Sequence, residues 1–102
     1  MIIQHYLKDV KNGNVSVIKT TKNILKEAKT LNKKYKCFTT ISEDLALELA
    51  EKQEKSPRGR LAGLPVSIKD CICVKNVESR AGSLILKDYM PVFNATVVQK
   101  LI

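Results

Sequence analysis

Gly59-Arg60-Leu61-Ala62-Gly63-Leu64-Pro65-Val66-Ser67-Ile68-Lys69-Asp70 is the stretch on which the reading of the fold turns. Gly63 permits a turn, and Pro65 fixes its own φ and biases Leu64 towards an extended backbone. Val66 and Ile68 are β-branched and alternate with Ser67, the pattern of a short buried strand. Lys69 and Asp70 stand where that strand ends, and in open α/β sheets chemistry collects at the carboxyl ends of strands. Two readings of Lys69 follow. It is a solvated lysine, paired with Asp70, or it is a buried amine whose charged form is disfavoured and which can act as a base.

Working outward, the flanking chain is helical before this stretch and mixed after it. Ile2, Ile3, Tyr6, Leu7 and Val10 recur at helical spacing, predicting a helix over 2–11 that Asn12-Gly13-Asn14 ends. His5 lies off that apolar stripe and reads as a surface residue. Asn14 or Ser16 caps a second helix over 17–33. Its apolar set (Val17, Ile24, Leu25, Ala28, Leu31) and its lysines (Lys19, Lys22, Lys26, Lys29, Lys33) fall on nearly opposite faces. That lysine face is either simply solvated or a patch for a polyanion or an acidic partner. Cys37–Ile41 has strand-like composition. Ser42 caps a third helix over 43–54, with Glu43 and Asp44 in its first turn, and Ser56-Pro57 breaks it. Beyond Asp70, Cys71–Val74 is a second extended candidate, Lys75-Asn76 a turn, and Asn94 or Thr96 the start of a last helix.

The chain has 102 residues, 44% of them hydrophobic, which suffices for one modest core. Aromatics are 5% and Trp is absent, so the core is aliphatic. Eighteen Lys and Arg against ten Asp and Glu give a net charge of +8, which favours polyanionic partners. Cys37, Cys71 and Cys73 are odd in number and not in a Cys-x-x-Cys spacing, and there is one histidine, too few ligands for a structural metal site. Reduced, buried thiols in a cytoplasmic protein are expected. No apolar run is long enough to span a membrane.

The stretch 59–70 resembles the lysine motif of the amidase signature family, in which Gly-Pro-Leu-x-Gly-(Ile/Val)-Pro-(Ile/Val)-x-(Ile/Val)-Lys-Asp is typical. Gly59, Leu61, Gly63, Pro65, Val66, Ile68, Lys69 and Asp70 fit it. Arg60 replaces a proline, Leu64 is a mild change, and Cys71 replaces a common asparagine. Residues 83–91 and 94–101 resemble the next segments of the family, nearest to its branch of tRNA-dependent amidotransferases. The resemblance implies an α/β fold: N-terminal helices plus the first strands of a mixed sheet flanked by helices, incomplete within residues 1–102. It divides the chain into a helical part, 1–55, and a lysine-motif region, 59–102.

The resemblance also implies an amide-cleaving enzyme that uses a Ser–cis-Ser–Lys triad, of which Lys69 is the lysine. Both serines are expected beyond Ile102, so the 102-residue chain alone is expected to be inactive. Ser67, Ser79 and Ser83 lie in no nucleophile motif and read as structural. In that branch the full-length enzyme hydrolyses glutamine to supply ammonia for misacylated tRNA. Implied partners are the B and C subunits of such an enzyme, glutamine and aminoacyl-tRNA. No cofactor is implied in this chain; ATP and Mg²⁺ belong to the B subunit. A general small-amide amidase and a non-catalytic basic module binding RNA or another protein chain remain the alternatives.

Overall fold

The computed structural model describes residues 2–102, and these form two compact units, 2–66 and 67–102. The first unit is helical: α1 (Ile3–Lys11), α2 (Val17–Tyr35) and α3 (Glu43–Lys55). The three predicted helices are therefore present, with α2 running two residues further than its apolar pattern. It stops at Lys36, which takes a left-handed conformation at φ 50° and donates its N–H to the Asn32 carbonyl. Ser16 caps α2, its hydroxyl accepting from the Lys19 N–H at 3.1 Å. Ser42 occupies the equivalent place before α3, but its side chain makes no capping bond.

α2 and α3 pack antiparallel. Lys29 on the later half of α2 pairs with Glu43 at the start of α3. Near the other end, the Ile18 N–H donates to Glu54 Oε1 at 3.5 Å. Tyr6, Val10, Val17, Ala50 and Ala62 form the buried core, with Val15, Ile18 and Leu64 against it. The apolar stripes read from the sequence thus face inward in large part, with Ile2, Ile3 and Leu31 left exposed, and the lysines of α2 are all exposed.

The turn of the lysine motif belongs to this core. Tyr6 donates its hydroxyl to the Gly63 carbonyl at 2.8 Å. Gly63 sits at φ +74°, and a Cβ there would meet Val17 Cγ2 at 2.8 Å and Val10 Cγ1 at 3.3 Å. Glycine is required by both its conformation and its close approach to the helices.

Residues 67–102 form the second unit. A 3-10 turn covers Leu84–Leu86, and α4 spans Thr96–Leu101. Neither Asn94 nor Thr96 caps α4: Ala95 holds the N-cap place, and the Asn94 side chain instead accepts from the Lys75 N–H at 2.8 Å. Two irregular segments run antiparallel. The Ala95 N–H donates to the Cys73 carbonyl at 2.9 Å, Asn76 N–H to Pro91 at 2.9 Å and Ser79 N–H to Tyr89 at 3.0 Å. These are single bonds, with the register slipping by one at Asn76, and not the reciprocated pairs of a ladder. Asn76 is left-handed at φ 62°, as its place in a turn predicts.

The strands expected at 37–41, 66–68 and 71–74 do not form among the described residues, so the sheet part of the α/β expectation is corrected here to a mostly helical chain with irregular connections. The reason is pairing. A strand is held by inter-strand bonds, and the backbone N–H and C=O groups of Val66, Ser67 and Ile68 have no partner among the described residues. Among the described residues, no helix is long and apolar enough to cross a membrane.

Candidate active site

Lys69 lies in the second unit, at the end of an irregular segment, and its side chain is exposed. Its carbonyl accepts from the Ile72 N–H at 2.9 Å, closing a turn directly after it. Its ammonium has no ion pair among the described residues. Of the two readings of Lys69, the buried amine is corrected here, since the side chain is exposed, and the solvated lysine holds without the pairing to Asp70, whose carboxylate is engaged elsewhere.

Asp70 ties this turn to the loop 78–83. Its Oδ1 accepts from the Arg80 N–H at 3.0 Å and its Oδ2 from the Gly82 N–H at 3.3 Å. Its backbone carbonyl accepts from the Ser79 hydroxyl at 2.6 Å. Ser79 is buried, at 6% exposure. The Ser83 N–H donates to the Arg80 carbonyl at 2.9 Å, so residues 80–83 form a tight turn. Both its central residues have positive φ, Ala81 at 48° and Gly82 at 71°, as a type I′ turn requires. Ala81 has a Cβ and is strained there. The carboxylate brackets it, accepting the N–H on either side. Glu78 adds a further tie, accepting from Arg80 Nε at 3.5 Å and from the Asp88 N–H at 3.2 Å.

The other reactive side chains are not brought together into a nucleophilic site. The Ser79 hydroxyl is committed to Asp70, and that of Ser83 accepts from the Ile85 N–H at 3.2 Å. Ser67 is exposed. The three cysteines are free but not buried, which corrects the expectation: Cys37 and Cys71 are exposed and Cys73 is half-buried. Their segments are irregular. No cluster of three or more His, Cys, Asp or Glu among the described residues is arranged to hold a metal ion. What the geometry offers chemically is one exposed amine on a backbone held from the following residue. The role of Ser79 carried no sequence signal, since a loop serine looks alike whether it is solvated or buried.

The Amidase family model matches residues 19–102. The chain belongs to the amidase family. Among its curated relatives are the A subunits of glutamyl-tRNA(Gln) amidotransferases. It is 39% identical over 96% of its length to that of Thermoanaerobacter pseudethanolicus. It is 33% identical over 98% of its length to that of Sulfurisphaera tokodaii. With the mitochondrial protein of Mus musculus the identity is 39% over 91% of its length. The chain spans about a fifth of the length of these relatives, 21%, 21% and 18%. No solved structure matches. The matched region contains Lys69, Asp70, Ser79 and the 80–83 turn, so the anchored lysine is part of an amidase-family segment.

Proposed function

We propose that this chain is the lysine-bearing N-terminal part of a glutamyl-tRNA(Gln) amidotransferase A subunit, whose full-length form releases ammonia from glutamine for transamidation of misacylated Glu-tRNA(Gln). The observation that carries the reading is Lys69 itself: it ends the 59–70 motif, inside the matched region, with its amine free of any ion pair among the described residues. The names of the relatives supply an amidotransferase and glutamyl-tRNA(Gln), and the resemblance of the motif to the amidase signature supplies the amide chemistry.

In this reading the Lys69 amine takes a proton through a bridging serine from the nucleophilic serine. The serine oxygen attacks the glutamine carboxamide carbon, ammonia leaves, and water then releases glutamate from the acyl-enzyme. Both serines lie in sequence outside residues 1–102. Strands from that sequence also pair with residues 66–68, whose backbone groups have no partner among the described residues. That pairing turns the segment into the first strands of a mixed sheet. The B and C subunits are the partners, with ATP and Mg²⁺ acting on the former and no cofactor in this chain. The compartment is cytoplasmic, in keeping with three free thiols.

The test is Lys69→Ala in the full-length protein, assembled with its partners. Glutaminase activity is expected to fall by about 10²–10⁴-fold, with assembly intact. Activity near that of the unaltered enzyme would remove Lys69 from the mechanism. A general small-amide amidase would instead hydrolyse simple amides without any stimulation by aminoacyl-tRNA.

A further inference from the structure

We infer that Asp70 and Ser79 are positioning residues for Lys69: they fix the backbone from which the catalytic amine projects. The inference rests on the proposed role of Lys69. An exposed lysine has a long, flexible side chain, so its reach towards a reacting group is defined by where its backbone is held. That backbone is held at the next residue. The Asp70 carbonyl accepts the hydroxyl of the buried Ser79 at 2.6 Å, and its carboxylate accepts the N–H groups of Arg80 and Gly82. Ser79 is itself fixed by its N–H bond to the Tyr89 carbonyl at 3.0 Å.

The arrangement is more than a surface Asx turn. The partners of Asp70 are ten and twelve residues away in the chain. The turn they form holds Ala81 in a conformation that a residue with a Cβ avoids. A carboxylate is the group that suits the place, since both its oxygens accept and neither donates. Asparagine would present an N–H₂ to one of the two backbone N–H groups. The carboxylate therefore acts on the loop and leaves Lys69 unpaired, which is what a proton acceptor needs.

The test uses the full-length protein in its complex, with glutamine as substrate. Asp70→Asn and Ser79→Ala are each expected to lower kcat about 10- to 100-fold with KM changed less than about twofold, because displacing a catalytic group by about an ångström has that effect. The two replacements act on different bonds, so one remains informative if the other fails to fold. In a Lys69→Ala background, Asp70→Asn is expected to lower the single-turnover rate no further, since Asp70 acts only through Lys69. Wild-type kcat in both single variants, or a further full loss in the Lys69→Ala background, would overturn the inference. Wild-type activity of Lys69→Ala alone would instead overturn the role of Lys69, a distinguishable failure.

Discussion

At Tyr6 one hydroxyl joins the first helix to the lysine-motif turn, by its 2.8 Å bond to Gly63. Tyr6→Phe is expected to destabilise the helical unit by about 0.5–1.5 kcal/mol, the usual worth of such a bond, measured by chemical denaturation. The same residue gives a pH signature. Burial pushes the Tyr6 phenol above its ordinary value of 10.0; the nearby Thr20 side chain opposes this and the Glu54 charge adds to it. A raised folded value means the folded state holds the proton more tightly. Its contribution is therefore fully present below the unfolded value and is lost as pH rises through the folded one. Stability is expected to fall above about pH 10, and less steeply in Tyr6→Phe. Gly63 is the second sensitive residue. Gly63→Ala places a Cβ 2.8 Å from Val17 at a positive φ, and is expected to cost about 1–3 kcal/mol. Ala81→Gly should act in the opposite sense, gaining about 1 kcal/mol by removing the Cβ from a left-handed site. Lys69 was legible in the sequence because the motif spells it out. Asp70 was legible only as a motif member, because its hydrogen bonds depend on a loop ten residues on.

At the scale of elements, α2 and α3 make a matched comparison. Both start after a serine, yet only Ser16 accepts a backbone N–H. Ser16→Ala is expected to cost about 1 kcal/mol, and Ser42→Ala much less, as read by thermal melting of the two variants. Sequence alone treats the two serines alike, because the rotamer and the entry angle of the preceding chain decide whether the hydroxyl reaches. Periodicity placed most of the inward faces of α1 and α2, since burial of an apolar stripe follows from helical geometry, but Ile2, Ile3 and Leu31 at the stripe ends stay exposed. The lysine face of α2 carries one ion pair, Lys29 with Glu43, and is otherwise open to solvent. Replacing Lys19, Lys26 and Lys33 together by Glu is expected to leave the melting temperature nearly unchanged. Glutamate is favoured at position 19 near the helix N-terminus and disfavoured at 33 near its C-terminus, so the dipole terms offset.

For the whole molecule, the two units differ in how well they are buried. Residues 2–66 hold the buried core cluster found among the described residues. In residues 67–102, Pro91, Val98 and Ser79 are buried, whereas Leu84, Ile85 and Val92 are 78%, 92% and 81% exposed. Amides of α2 and α3 are therefore expected to exchange with solvent more slowly than those of residues 73–95, as read by hydrogen exchange of the 102-residue chain. Exposed apolar side chains and the unpaired backbone of residues 66–68 also favour association. The apparent size of the isolated chain is expected to rise with concentration despite its charge of +8. A sharply monodisperse monomer in sedimentation would contradict that.

The sequence by itself determined the three helices, most of their inward faces and a turn at Gly63, and it singled out Lys69 as the lysine of a contiguous motif. Each of these is carried by local chemistry: spacing, backbone freedom, or a contiguous motif. It overstated the strands, because β-branched alternation reports a preference for extended chain, while a strand exists only when another segment supplies its hydrogen bonds. Only the tertiary structure decided that Ser16 caps and Ser42 does not, that the cysteines lie open, and that Asp70 turns away from Lys69 towards Arg80 and Gly82. Those outcomes depend on which distant backbone groups come within hydrogen-bond reach, and that is set by how the chain folds back on itself.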